Sequence, residues 1–301
     1  MDKIKTIAHL ADIHIRKLHR FVEYRDVFKR LYKKLKEVKP DLIYIGGDVV
    51  HGKLDTSPEE IRLLSDFFLY LCDIAPTLVI PGNHDWDDGG RDGLAAVQRQ
   101  EKFVEDYLNR GNTFLPDNGF PGPVDIELMD DDEHPLLRDD IRLIVLDTQW
   151  WLHKYEKSYG DTGEYDLFDG GDFLNEFEDI LIKRQKDFLV VAAHHPLITK
   201  GRHGGYLHPS AHLKPPVFGT FNVLYRRIFG REQDVNHHKY RNMASTFREL
   251  FNNNDHLIYA SGHSHNLQYI REKGKRETRH YVVTGAGTKD SYVASGRGTE
   301  F

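Results

Sequence analysis

The sequence predicts an α/β fold in which two packed β-sheets are flanked by helices. Short apolar runs alternate with amphipathic helical stretches early in the chain, and strand follows strand more often later on. Several of the apolar runs end in a polar, histidine-containing turn, as expected where strand ends converge on one site.

Taken in order, residues 5–11 read as a strand leading into Asp12. Phe21, Tyr24, Phe28, Leu31, Leu35 and Val38 recur at three- and four-residue spacing, which predicts a helix over 19–38 that Pro40 stops. A strand over 41–45 follows. Ser57 as N-cap, Pro58 in the first turn and Glu60 completing a capping box predict a helix over 58–72. A strand at 76–80 and a helix near 92–109 come next. Strands are expected at 124–128, 143–146, 188–192, 257–260, 267–271 and 281–284, with a helix near 172–185. The acidic run Asp130 to Glu133 lacks the interleaved ligands of a calcium loop and reads as a solvated hairpin turn. The stretch 200–243, rich in Gly, His, Pro and aromatics, reads as a long loop insertion within a single domain spanning 1–301.

Composition narrows the function classes. The formal net charge of -6 gives no support for a broad nucleic-acid-binding surface. Cys72 is the single cysteine, so an intrachain disulfide is excluded. Lys5, His9, Asp12 and His14 break any signal-peptide core, and no apolar run is long enough to span a membrane. A cytoplasmic location is the expectation.

Histidine is abundant, with 18 in the chain, and it clusters. Five turns share one design: DIH (Asp12, His14), GDVVH (Asp48, His51), GNHD (Asn83, His84, Asp85), AHHP (His194, His195) and GHSH (His263, His265). A lone D-x-H is usually a surface turn, and a lone H-x-H is usually satisfied by hydrogen bonds. Together the five supply carboxylates, an amide oxygen and imidazoles enough for two borderline divalent ions. D-x-H and H-x-H place both ligands on the same side of an extended segment. Asp48, alone at its strand end, is the natural bridge between two metals, and Asn83 is a neutral ligand that limits the negative charge.

The order and content of these turns resemble the calcineurin-like metallophosphoesterase superfamily, whose pattern is D-x-H, G-D, G-N-H-D/E, a lone H and G-H-x-H. The resemblance implies a four-layer αββα sandwich. It implies that Asp12, His14, Asp48 and His265 hold one metal, and Asp48, Asn83, His194 and His263 the other. His84 would be the general acid, with Asp85 orienting its ring, and His195 would stand behind His194. Two such metals clamp the attacking and leaving oxygens of an in-line displacement, and a bridging hydroxide serves as nucleophile. The implied activity is a dinuclear metal-dependent phosphatase or phosphodiesterase.

The resemblance divides along the chain. Residues 1–85 resemble the exonuclease branch, the nuclease subunits of DNA-repair and phage recombination complexes, in which the position of His51 assists phosphodiester cleavage. RQEKFVEDYL, IVLDTQWWLH, VVAAHHPLITKGRHGG and HYVVTGAG resemble a bacterial purple-acid-phosphatase-like branch. The tyrosine ligand of purple-acid iron sites would fall at His51, so an iron–tyrosinate is not expected. Manganese is the first choice of metal, with zinc or iron as alternatives. Arg202 and His203 are expected to line a phosphate-contacting rim, together with His195. Two alternatives stand beside the phosphoesterase: a Mn-dependent DNA exonuclease or endonuclease acting with an ATPase partner, and a non-catalytic scaffold. Family members add a closing strand past V-T-G-A-G. This chain reaches Phe301 soon after, so a sheet lacking that strand is expected.

Overall fold

The structure is a computed structural model that describes residues 4–16, 20–52, 57–108, 113–129, 140–158, 170–213, 216–254, 256–274, 278–287, 290–294 and 299–300. The element order is β1 (Ile7–Leu10), α1 (Phe21–Val38), β2 (Leu42–Ile45), α2 (Pro58–Cys72), β3 (Thr77–Val79), α3 (Gly93–Leu108), β4 (Val124–Met129), β5 (Ile141–Val145), α4 (Thr148–Leu152), α5 (Gly170–Lys183), β6 (Phe188–Ala192), α6 (Pro216–Ile228), α7 (His238–Leu250), β7 (Leu257–Ser261), β8 (Leu267–Lys273), β9 (Thr278–Thr284) and β10 (Thr299–Glu300).

β1, β2 and β3 form a parallel sheet in that order. The second sheet runs β10-β8-β9-β7-β6-β5-β4, with β5, β6, β7 and β9 parallel. Side chains alternate across a strand, and that alternation sorts the core into layers. Ile43 and Ile45 of β2 pack with Phe28, Phe67 and Val97 from α1, α2 and α3. Their neighbours Leu42 and Tyr44 point the other way, onto Leu143, Val145 and Ala192 of the second sheet. Ile144 and Val191, on that sheet's far face, meet Phe173 and Phe177 of α5 and Met243 and Phe247 of α7. Helices, sheet, sheet and helices therefore stack as the expected four-layer αββα sandwich.

Local chemistry sets the elements. Ser57 caps α2 by accepting from the Glu60 N–H at 3.1 Å, with Pro58 at the first helical position. Asp147 caps α4 by accepting from the N–H groups of Gln149 and Trp150.

Two expectations need correction. The stretch read as a loop over 200–243 contains α6 and the start of α7, besides short 3-10 turns at Arg202–Gly204 and Pro209–Leu213. The apolar residues of α6, Phe221, Leu224, Tyr225 and Ile228, do stand at helical spacing, but they sit within a Gly-, His- and Pro-rich stretch whose composition reads as loop. The sheet edge expected to lack a closing strand carries β10, in which Thr299 pairs antiparallel with Ile270 of β8. The acidic run Asp130 to Glu133 lies outside the described residues.

Candidate metal centre

The five turns come together at the carboxyl ends of β1, β2, β3, β6 and β7. Parallel strands bring those ends to one edge of the sandwich, where the two sheets meet. The backbone is bent hard there: Asp12, His14, Asp48, His263 and His265 all have positive φ, between 47° and 65°. A non-glycine residue in the left-handed region is uncommon, and five in one cluster store strain at a functional site. Close backbone approach needs Gly82, where an added Cβ would stand 2.3 Å from Asp48 Oδ1.

His194 Nδ1 lies 2.6 Å from the Gly46 carbonyl, to which it donates, leaving the lone pair on Nε2. His263 Nε2 donates to the Gln233 carbonyl at 2.9 Å, leaving the lone pair on Nδ1. Asn83 Nδ2 donates to Asp88 Oδ1 at 2.8 Å, which turns its Oδ1 inward. That oxygen lies 3.1 Å from His194 Nε2 and 3.0 Å from His263 Nδ1. Three electron-pair donors thus face one another in a buried place. The second group is Asp12 Oδ1, His14 Nε2 and His265 Nε2, with separations of 3.4, 3.3 and 3.0 Å. Ligands about 2.1 Å from one cation and at right angles to each other lie about 3.0 Å apart, so both groups have the dimensions of a metal cage.

Asp48 stands between the cages. Its Oδ2 is 3.7 Å from His14 Nε2 and 3.4 Å from His194 Nε2, while Oδ1 accepts from the His84 N–H at 2.9 Å. Burial opposes charge on all these groups. Even so, His194, His84 and His14 hold the Asp48 carboxyl well below the ordinary range, and Asp48 pushes His194 up to about 10. Burial and the neighbouring imidazoles of His203, His195 and His194 push His263 far down, which keeps it neutral and able to donate its lone pair.

At the edge of the cages, His14, His51 and His84 form a cluster of their own. The His84 ring centroid is 4.8 Å from that of His14 and 4.7 Å from that of His51, and His51 Nδ1 lies 3.2 Å from His14 Nδ1.

Several residues act differently from expectation. The partner that orients His84 is the His51 carbonyl, 3.1 Å from Nδ1. Asp85 Oδ2 accepts from the N–H groups of Asp48 (2.9 Å) and Gly82 (2.7 Å), so it braces the turn that carries the Asp48 carboxylate. His195 is fully buried, with Nδ1 2.8 Å from Thr148 Oγ1 and Nε2 2.9 Å from Gln233 Oε1. A substrate contact is closed to it; its ring backs those of His194 and His263. Arg202 is exposed and lies in the field of Arg226, Asp234 and Arg231. His203 does reach the site, with its ring centroid 4.1 Å from that of His263 and Nδ1 3.0 Å from Asp234 Oδ1.

Gln233 holds His263, Asp88 holds Asn83 and Thr148 holds His195, and none of the three carried a motif. Asp88 had a weak signal, since it follows GNHD within three residues. Gln233 had none, because it lies in the stretch read as a loop.

The calcineurin-like phosphoesterase family profile matches residues 5–267. The chain belongs to the calcineurin-like phosphoesterase family. Over 98 residues it is 46% identical to the uncharacterized protein R555 of Acanthamoeba polyphaga mimivirus, a stretch covering 32% of this chain and 7% of that protein. The chain therefore spans less than a tenth of the length of that curated relative. Among solved structures it is similar to GAP50, the anchor in the inner membrane complex of Plasmodium, with a TM-score of 0.57 and 14% identity, covering 100% of this chain and 78% of the other. That likeness is one of fold. A dimetal phosphatase from Danio rerio (LOC 393393) matches with a TM-score of 0.49 and 11% identity over 94% of this chain and 87% of its own. Among the described residues, no helix is long and apolar enough to cross a membrane.

Proposed function

We propose that this phosphoesterase hydrolyses phosphoesters with two divalent metal ions. Asp12, His14 and His265 would hold one ion, Asn83, His194 and His263 the other, and Asp48 would be shared. The observation that carries this reading is the division of Asp48, with Oδ1 tied to the His84 N–H and Oδ2 turned between the two cages. Bound there, two divalent cations would supply Lewis acidity for water and for the phosphoryl charge.

The chain's own groups do the rest. His84 Nδ1 donates to the His51 carbonyl, so the proton available for a leaving group is the one on Nε2 of the imidazolium. His51 flanks it, with its ring centroid 4.7 Å from that of His84. Manganese is the metal to try first, with zinc and iron next.

A second reading, a Mn-dependent DNA exonuclease or endonuclease with an ATPase partner, draws on the placement of the His51 ring 4.7 Å from that of His84. One panel separates the readings: Mn-loaded protein assayed on p-nitrophenyl phosphate, bis-p-nitrophenyl phosphate and labelled linear DNA. Monoester cleavage alone removes the nuclease. Asp48→Asn should nearly abolish turnover and reduce bound metal. His84→Ala should slow turnover by about 10²–10⁴-fold with metal retained. Protein that stays metal-free in excess Mn, and turns over nothing, would sink the hydrolase and leave the scaffold.

A further inference from the structure

Helix α6 is turned inside out for a surface helix. Its inward side is Gly219, Val223 and Arg226, with Gly230 just beyond its end. Its outward side is Phe221, Leu224, Tyr225 and Ile228, continued by Phe229, with exposures from 47% to 66%. At about 100° per residue these five fall on one arc opposite the buried side. A soluble surface helix does the reverse, keeping its apolar stripe inward. Leu213 is 74% exposed and ends the 3-10 turn that packs on α6. Scattered exposed apolar residues are ordinary, but this many on one face mark an interaction surface.

A polar anchor secures the helix from below. Arg226 Nε donates to Asp234 Oδ2 at 2.9 Å and Arg226 Nη2 donates to Oδ1, with both side chains buried. The Arg231 N–H also donates to Asp234 Oδ2. This arrangement leaves the apolar side free to face outward.

Charge decides the occupant. α6 contains no Asp or Glu, and the exposed cations beside its face are Arg227 and Arg231. Arg231 Nη2 lies 3.4 Å from Asn222 Oδ1, so it reaches back along the helix. A second copy laid face to face would offer Arg227 and Arg231 no carboxylate from its own α6. An anionic lipid surface satisfies both parts, since apolar and aromatic side chains enter the acyl boundary and arginines meet the headgroups.

The geometry points to α6 as an interfacial docking helix, which lays Phe221, Leu224, Tyr225, Ile228 and Phe229 into an anionic membrane surface with Arg227 and Arg231 at the headgroups. Asp234 also bonds His203, and the Gln233 carbonyl accepts from His263, so docking would set the metal centre beside the lipid.

The test is cosedimentation of the full chain with vesicles of phosphatidylcholine, with and without phosphatidylserine. Binding should need the anionic lipid. It should fall roughly tenfold or more in Phe221→Glu/Ile228→Glu, whose substituted side chains point to solvent. It should fall about fivefold for each of Arg227→Gln and Arg231→Gln, which leave the apolar face intact and give a second reading. Thermal melts should stay at the wild-type value in every variant that is scored. The proposal is overturned by a chain that binds no vesicle. It is equally overturned by binding that survives all these substitutions but is lost in Lys29→Glu/Lys33→Glu on α1. A light-scattering dimer that Phe221→Glu/Ile228→Glu dissociates, without vesicle binding, would assign the face to a second copy instead.

Discussion

Gly82→Ala tests how tightly the Asp48 carboxylate is held. A Cβ at Gly82 would stand 2.3 Å from Asp48 Oδ1 and 2.9 Å from both Asp48 Cγ and Asp48 N. Carbon and oxygen in ordinary contact are about 3.5 Å apart, so the carboxylate must retreat by about 1 Å. It has little room, because Oδ1 is held by the His84 N–H and the Asp48 N–H is held by Asp85. Overpacking of this kind costs about 1–3 kcal/mol. In a chain of this size that lowers the melting temperature by about 2–10 °C. Metal suffers more, since ligand distances tolerate only about 0.2 Å of error. The assay is a thermal melt in chelator, together with metal stoichiometry after dialysis against Mn. Gly52→Ala is the matched control, since an added Cβ there meets nothing within 4 Å. If Gly82→Ala keeps the metal content and melting temperature of Gly52→Ala, the reasoning about Asp48 is wrong.

Two further outcomes follow from buried charge. Arg226→Met strands the Asp234 carboxylate, which burial disfavours but bonds from His203, Arg226 and Arg231 hold down at about 2. Unfolding should become easier by about 3–5 kcal/mol, and Asp234→Asn in the same chain should recover part of it; a loss below 1 kcal/mol in denaturant titration would contradict the assignment. Burial, then His84 and Arg16, lower His51 from 6.5 to about 4. Because its folded value is depressed, the stability that goes with a neutral ring is present above pH 6.5 and is lost as pH falls toward 4. In metal-free protein, NMR titration should place the His51 midpoint near 4, and His51→Gln should flatten that part of the pH–stability curve; a midpoint at 6.5 would refute it.

Much of the fold was legible because its signals are local. The α1 periodicity, the Ser57 cap and the apolar runs before each histidine turn placed the elements to within a few residues. The helix α6 carries its period in Phe221, Leu224, Tyr225 and Ile228, but the sequence does not show which way that face points; the rule that apolar residues mark the inner side fails there. The resemblance implies that Asp85 orients the His84 ring. In space its carboxylate accepts from the Gly82 N–H of its own turn and from the Asp48 N–H of another.

The sequence by itself determined which groups meet, since carboxylates and histidines placed just past parallel strands must converge at one sheet edge. Tertiary structure alone decided what each group does. Which lone pair of His194, His263 or Asn83 points inward depends on a carbonyl or carboxylate remote in sequence, at Gly46, Gln233 and Asp88. The same holds for His195, whose burial between Thr148 and Gln233 withdraws it from substrate. Hydrogen-bond direction and burial are set by neighbours in three dimensions, and no spacing along the chain encodes them.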